Sequence, residues 1–396
     1  MKTKKNPEED LIVSILKEFV SPENGRSVKE ECLPLSFDWD RFKHLAVIHG
    51  VASFIYPVLR DIGYVLPHEK TYTSFRTYHY GIMANVIRLQ QEFSKLVKVF
   101  AQSNVSLLPL KGMSFLTDLY AAVPARQMAD IDVLVKKENL RKAEELLTGL
   151  GYTKDLEGLK EEYWLKRQYH FVFSKDALHR PLRVELHWAL DYDRDGRVIL
   201  PCLWERVRPA PTEIGSIAVL SPEDNFFCLA LHLRRMGNIL GLKNVLDAAL
   251  ILRKYPHFDW EYLVEEARRG AMRASVFFLL MQVEFFFRIR APEPARKNLN
   301  PGHIQEKLIR AFIRKNTFRD SGIEEAKSLF LKSHFLLYDN LWEPLGYIAR
   351  IPKEQFAKFY GLRPYERKTG FLYSWRLLYM PWQYTMHAIM NDGVNR

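Results

Sequence analysis

The sequence predicts an α+β fold: a small mixed β-sheet core flanked by N-terminal and C-terminal α-helical segments. Three observations carry this. Apolar residues recur at helical spacing from about residue 8 to 105. The texture then changes to short apolar runs broken by Gly and Pro. From Pro222 the helical period returns.

In the first segment, 1–102, Leu11, Ile12, Ile15, Leu16 and Phe19 share one helical face. Asp38 or Asp40 is placed to cap a second helix carrying Phe42, Leu45, Ala46, Val51 and Phe54. A third runs from about Thr71 to Gln102, with Ile82, Val86, Leu89, Phe93, Leu96 and Val97 on its stripe. The core, 103–220, opens with a strand in VSLLPLKG, a helix in MSFLTDLY and a loop in AAVPARQMA. A strand in DIDVLVK follows, then a helix in KENLRKAEELLTGLGY stopped at Gly149 or Gly151. Two more strands, YHFVFSKD and LRVELHWAL, flank a turn around His179–Pro181. Segment 221–290 is helical in PEDNFFCLALHLRRMG, in KNVLDAALILRKY and from Trp260 to Phe287. In 291–396, RAPEPARKNLNPGH is expected to be a loop, with a boundary near 290–303, and the tail to be helical and aromatic.

Lys and Arg outnumber Asp and Glu by 58 to 47, a net charge of +11. That excess favours polyanionic partners such as nucleoside triphosphates, nucleic acid or an anionic membrane surface, without choosing among them. It is equally compatible with a basic protein that has no polymeric partner. Cys32, Cys202 and Cys228 are far apart and odd in number, which argues against a disulfide framework or a zinc site and for a reducing, cytoplasmic setting. The charged N-terminus MKTKKNPEED lacks the apolar run of a signal peptide. The most apolar stretch, Val276 to Ile289, is too short to span a bilayer and reads as a buried helix, so no transmembrane segment is expected.

The chemistry centres on Asp130-Ile131-Asp132 at the start of an apolar strand. Alternate strand residues point to one face, so the two carboxylates project together and require a compensating cation. Mg²⁺ or Mn²⁺, with oxygen ligands and substrate phosphates, suits them. Such a pair is also common on solvated strands. A second strand adds Glu185, with His187 on the same face. If that strand lies beside Asp130–Val135, three acids converge in a two-metal donor set; otherwise Glu185 is a sheet-edge residue, or is salt-bridged to Arg183 or Arg180. Upstream, Gly112 and Ser114 lie between a strand and a helix whose free N–H groups suit phosphate, and Lys111 and Arg126 offer positive charge to the same group. His170 approaches from the neighbouring strand. Neither a P-loop nor a dinucleotide fingerprint is present. Asp224, His232 and Asp247 read as structural, the last two as a pair across a helix contact, with the cleft as their other location. The Arg363–Trp382 tail mixes basic and aromatic residues, which suits RNA or a membrane face but more often marks a packed amphipathic helix.

A Gly turn, a helix, a D-x-D strand and a later acidic strand residue resemble the DNA polymerase β-like nucleotidyltransferases. More narrowly, the chain resembles a bacterial family of uncharacterised nucleotidyltransferases. The resemblance rests on LPLKGMS, ARQMADIDVLV, GLGY, VELHW, SPEDNFFCLALHL and LKNVLDAALIL, and it covers most of the chain. It implies metal-dependent transfer of NMP from an NTP to an acceptor (small molecule, sugar, protein or RNA) with release of pyrophosphate. Asp130, Asp132 and Glu185 are then the catalytic metal ligands, and Lys111, Gly112, Ser114, Arg126 and His187 line the nucleotide. One departure stands out: Met113 separates Gly112 from Ser114, where the superfamily commonly has Gly-Gly or Gly-Ser. The alternatives are a catalytically inactive nucleotide- or RNA-binding protein on the same fold, or a basic helical nucleic-acid-binding protein.

Overall fold

The computed structural model describes residues 6–21, 36–61, 69–120, 126–158, 160–177, 180–192, 199–212, 215–236, 241–318, 333–340 and most of 343–378. Cys32, the centre of the turn around His179 and the tail beyond 378 lie outside the described residues.

Helix α1 (Pro7–Val20) begins with Glu8, Glu9 and Asp10, which suit the positive end of its dipole, and buries Leu11, Ile12, Ile15 and Leu16. Helix α2 (Trp39–Ile48) is capped by Asp38, whose side chain accepts the Arg41 N–H at 2.9 Å. The chain then turns through Gly50 at φ 67° into α3 (Ala52–Asp61), so Phe42 and Phe54 sit on two helices rather than one. Helix α4 (Glu69–Gln102) is the long helix that the apolar stripe predicts.

The main sheet has five strands: β1 (Leu107–Pro109), β2 (Ile131–Val135), β3 (Thr153–Asp155), β4 (His170–Lys175) and β5 (Leu182–His187). Their spatial order is β1-β2-β5-β4-β3, and only β2 and β5 run parallel. Helix α5 (Lys111–Asp118) joins β1 to the segment leading into β2, and α6 (Leu140–Gly149) follows β2. Gly151 closes α6 at φ 84°. Its N–H donates to Thr148 and that of Tyr152 to Leu147, the double-bonded glycine stop expected there. Strand β3 escapes sequence reading because Thr-Lys-Asp has no apolar alternation. The helix α7 (Glu161–Arg167) leads from β3 to β4. A two-stranded ribbon, β6 (Arg208–Thr212) with β7 (Gly215–Val219), was also not anticipated: Pro209 and Pro211 suggest a loop, but an edge strand tolerates them.

The second helical layer comprises α8 (Pro222–Met236), α9 (Leu242–Lys254), α10 (Trp260–Arg269), α11 (Arg273–Phe287), α12 (Glu293–Leu299) and α13 (His303–Asn316). The 260–287 stretch is broken where Ala271 adopts φ 49°. The expected loop at 290–303 contains α12, which Ala295 and Leu299 anchor in the core. Helix α11 is apolar on nearly every side and correspondingly buried, against α8, α9, α12 and α13. One apolar cluster runs unbroken from Leu11 to Tyr338. Ile351 and Phe356 form a separate small cluster, around α14 (Lys353–Phe359) and α15 (Arg367–Ser374). No described helix is long and apolar enough to cross a membrane.

Candidate active site

The parallel pairing of β2 with β5 sets Asp132 level with Glu185, and Leu134 level with His187. The two acids therefore stand side by side on neighbouring strands. His187 reaches back to both: its Nε2 is 3.2 Å from Asp132 Oδ1 and 3.3 Å from Glu185 Oε2. Lys111, the first residue of α5, places its Nζ 2.5 Å from Asp132 Oδ1 and 3.4 Å from Glu185 Oε2. Burial alone would force a proton onto these acids; Lys111 and His187 override it and hold Asp132 well below its usual range. Glu185 is lowered too, burial being opposed by the His187 contact and the Lys111 charge. Burial also works against the Lys111 ammonium, but Asp132 and Glu185 raise its pKa.

Asp130 sits one residue before β2, half-buried. Burial, with the charges of Asp132 and Glu185, pushes its pKa up to about 6. Lys243, near the start of α9, donates to the Gln127 carbonyl at 3.2 Å. Burial and Arg126 push its pKa down to about 8, and the field of Asp130 reaches it. On the other side, the rings of His170 and His187 stack at 4.9 Å, set by their cross-strand pairing. Among the described residues, Asp132, Glu185 and His187 are the acid/imidazole group whose ligand atoms close to within 4.8 Å. Two carboxylates and an imidazole, half-compensated by one ammonium, form a donor set that fits a divalent cation.

The structure thus brings together Asp132, Glu185, His187 and Lys111, with Asp130 and His170 beside them. It corrects two expectations. Ser114 does not join the carboxylate group: it is fully buried, and its hydroxyl lies 3.3 Å from Asn225 Oδ1 on α8. Its place three residues into α5 turns it onto the helical layer. Arg126 is not a free phosphate ligand, because Asp247 on α9 takes its Nε and Nη2 at 2.9 and 2.6 Å. Its Nη1 lies against Gly112, where a Cβ would stand 2.8 Å away, so Gly112 is needed for the close approach of the guanidinium. Asp247 also accepts from Tyr120 at 2.9 Å, so its partners among the described residues are Arg126 and Tyr120 rather than His232. His232 instead lies in the field of Lys111, Arg235 and Asp132, and burial pushes its pKa well down. Asp224 is structural: its N–H is capped by Ser221 and it accepts from Tyr262 at 2.8 Å. Sequence reasoning missed Lys243 and Arg235. Lys243 lay within a quoted motif, but nothing in the Arg234-Arg235 pair marks the second one.

Paired carboxylates on adjacent parallel strands, beside a Gly turn and helix, belong to the nucleotidyltransferase class. A family model described as "Uncharacterised nucleotidyltransferase" matches residues 36–288, and the chain belongs to that family. Among solved structures, the antibiotic-resistance factor ANT(2'')-Ia is similar at 16% identity over 48% of this chain and 91% of that one. The TM-score is 0.33, too slight a likeness to carry an argument. Comparison with curated proteins finds no match.

Proposed function

We propose that the chain transfers a nucleoside monophosphate from an NTP to an acceptor hydroxyl, releasing pyrophosphate, with Mg²⁺ or Mn²⁺ held by Asp132, Glu185 and Asp130. The observation that carries this reading is a cation site already formed by the register: Asp132 and Glu185 stand level on parallel strands with Lys111 Nζ between them. A bound metal would neutralise phosphate charge and acidify the acceptor hydroxyl.

The protein's own groups position and stabilise. Lys111, displaced from the carboxylates, follows the phosphates, and the backbone of α5 at Gly112 meets them closely. Asp247 and Tyr120 hold Arg126 in place. His187 orients both acids through Nε2. The bond from the acceptor oxygen to the α-phosphorus forms as the bond from that phosphorus to the α–β bridging oxygen breaks; the electron pair leaves with pyrophosphate and the hydroxyl proton passes to solvent. The acceptor is a small molecule, sugar, protein or RNA.

The same Lys111 contact favours a second reading, in which the ammonium stays in the cation position and the protein binds nucleotide without turnover. Calorimetric titration of the four NTPs, with and without Mg²⁺ or Mn²⁺, separates the two. The transfer reading expects metal-dependent binding of one NTP that is lost in Asp130→Ala/Asp132→Ala. Binding that is indifferent to metal and to those substitutions supports the second reading.

A further inference from the structure

We propose that Arg235 of α8 forms a second anion subsite in this cleft, taking a phosphate group of a bound ligand on the Tyr169 side of His187. The proposal deepens the nucleotidyl-transfer reading and rests on it for the use of the cleft.

The observation is a half-buried guanidinium with no ion pair within 4 Å among the described residues; the carboxylate whose field reaches it, Asp191, is already joined to Arg234. Nε and Nη1 of Arg235 are closed off from solvent, and neither has a hydrogen-bond partner. Among the described residues it is the one arginine with two such nitrogens. Its face lies 4.5 Å over the ring of Tyr169. Stacking orients the group but leaves the in-plane N–H donors unused. The buried arginines show the ordinary solution. Arg126 is closed by Asp247, and Arg234, the preceding residue, donates to Asp191 Oδ2 at 3.2 Å and to the Ala271 carbonyl at 3.1 Å. An unpaired buried charge is costly unless a ligand completes it.

Its position connects it to the carboxylates. The Tyr169 ring is 5.6 Å from that of His187, whose Nε2 touches Asp132. Nδ1 of His170 and Nδ1 of His187 are likewise buried without partners. The charge of Arg235 is also felt at Lys111, His170 and His232, burial being the larger influence at each. A phosphate, with oxygens matched to the guanidinium fork, satisfies the open Nε and Nη1 donors of Arg235. It comes either from the nucleotide's own β,γ-phosphates or from a phosphate on the acceptor.

The test is calorimetric titration of inorganic pyrophosphate, then inorganic phosphate, into the full chain without divalent metal. The proteins are wild type, Arg235→Gln, Arg235→Lys, Asp130→Ala and the exposed-site control Arg141→Ala, with melting curves for each. Arg235→Gln keeps the stem over Tyr169 and removes the charge. It is expected to bind pyrophosphate weaker by on the order of 30-fold or more. Arg235→Lys should recover part of the affinity, and Arg141→Ala should match wild type. Asp130→Ala, which disables transfer, should still bind metal-free pyrophosphate, so failure of the transfer reading and failure of the subsite give different results. Displacement of phosphate by saturating metal–NTP assigns the subsite to the nucleotide's tail; retention beside NTP assigns it to the acceptor. Equal pyrophosphate affinity in wild type and Arg235→Gln, or no binding to wild type, overturns the proposal.

Discussion

At the scale of single residues, Lys111 joins backbone to chemistry. It adopts φ 46°, a left-handed conformation that costs a side-chain-bearing residue about 1–2 kcal/mol. From there its ammonium lands on Asp132 and Glu185. Sparsely populated backbone conformations persist where the surroundings over-determine them, and here two acids do so. Removing the ammonium leaves two adjacent acids without their main counter-charge. Lys111→Ala is therefore expected to lose about 3 kcal/mol of stability. Mn²⁺ should raise its melting temperature more than it raises that of wild type. Lys111→Gly should lose about 1 kcal/mol less, because it relieves the backbone. Denaturant titration with and without Mn²⁺ reads both effects; equal metal-induced shifts in wild type and Lys111→Ala would discard Lys111 as the resident cation.

At the scale of elements, the start of α9 depends on the end of α2. An added Cβ on Gly241 would stand 2.4 Å from the Cα of His49 and 2.6 Å from its carbonyl oxygen. These are backbone atoms that cannot rotate aside. Gly241→Ala is expected to cost about 3 kcal/mol by overpacking. It should also weaken NTP binding, because α9 carries Lys243 and Asp247 to the cleft. An NTP affinity unchanged in a destabilised Gly241→Ala would break that link. His49 caps the same junction: its Nδ1 accepts the Leu242 N–H at 3.4 Å, which requires a neutral ring. Burial and His44 push its pKa down to about 4 from 6.5. The unfolded chain thus binds a proton at pH values where the fold does not. This contribution is complete above about 6.5 and is lost as pH falls toward 4, by up to about 3 kcal/mol. His49→Gln should flatten part of the pH dependence seen between pH 7 and 5 in denaturant unfolding; identical slopes would rule His49 out.

At the scale of the whole molecule, the N-terminal helices and helices α8 to α13 share one core with the sheet, while α14 and α15 close on a small cluster of their own. Helix α1 packs on α9 and α11 as well as on α2 and α3. It buries Leu11, Ile12, Ile15, Leu16 and Val20. Each is worth about 1.5–3 kcal/mol, so together they rival the typical total stability of about 5–15 kcal/mol. Deletion of residues 1–21 is expected to abolish cooperative unfolding, followed by circular dichroism. A truncated chain that still unfolds sharply near the wild-type temperature would instead make the N-terminal helices an accessory to an independent core.

The sequence by itself determined the α+β class, the long helices and the three acids with His187, because periodicity and short polar interruptions of apolar strands are local properties of a chain. Sequence patterns narrowed two element ends to pairs of residues, Asp38 or Asp40 and Gly149 or Gly151, and the structure selects Asp38 and Gly151. Two short strands stayed hidden, since Thr153–Asp155 and the proline-bearing Arg208–Thr212 lack alternation and are held by their neighbours. The partner of each charge was equally out of reach. Strand period shows that Glu185 and His187 share a face, but only the parallel register sets them against Asp132. Nothing local tells that Ser114 turns to Asn225, that Asp247 claims Arg126, or that Arg234 finds Asp191 while Arg235 forms no ion pair among the described residues. The tertiary structure alone decides these pairings, because they depend on distances between elements more than a hundred residues apart in some cases, and a buried charge is neutralised by whatever the fold brings within about 4 Å.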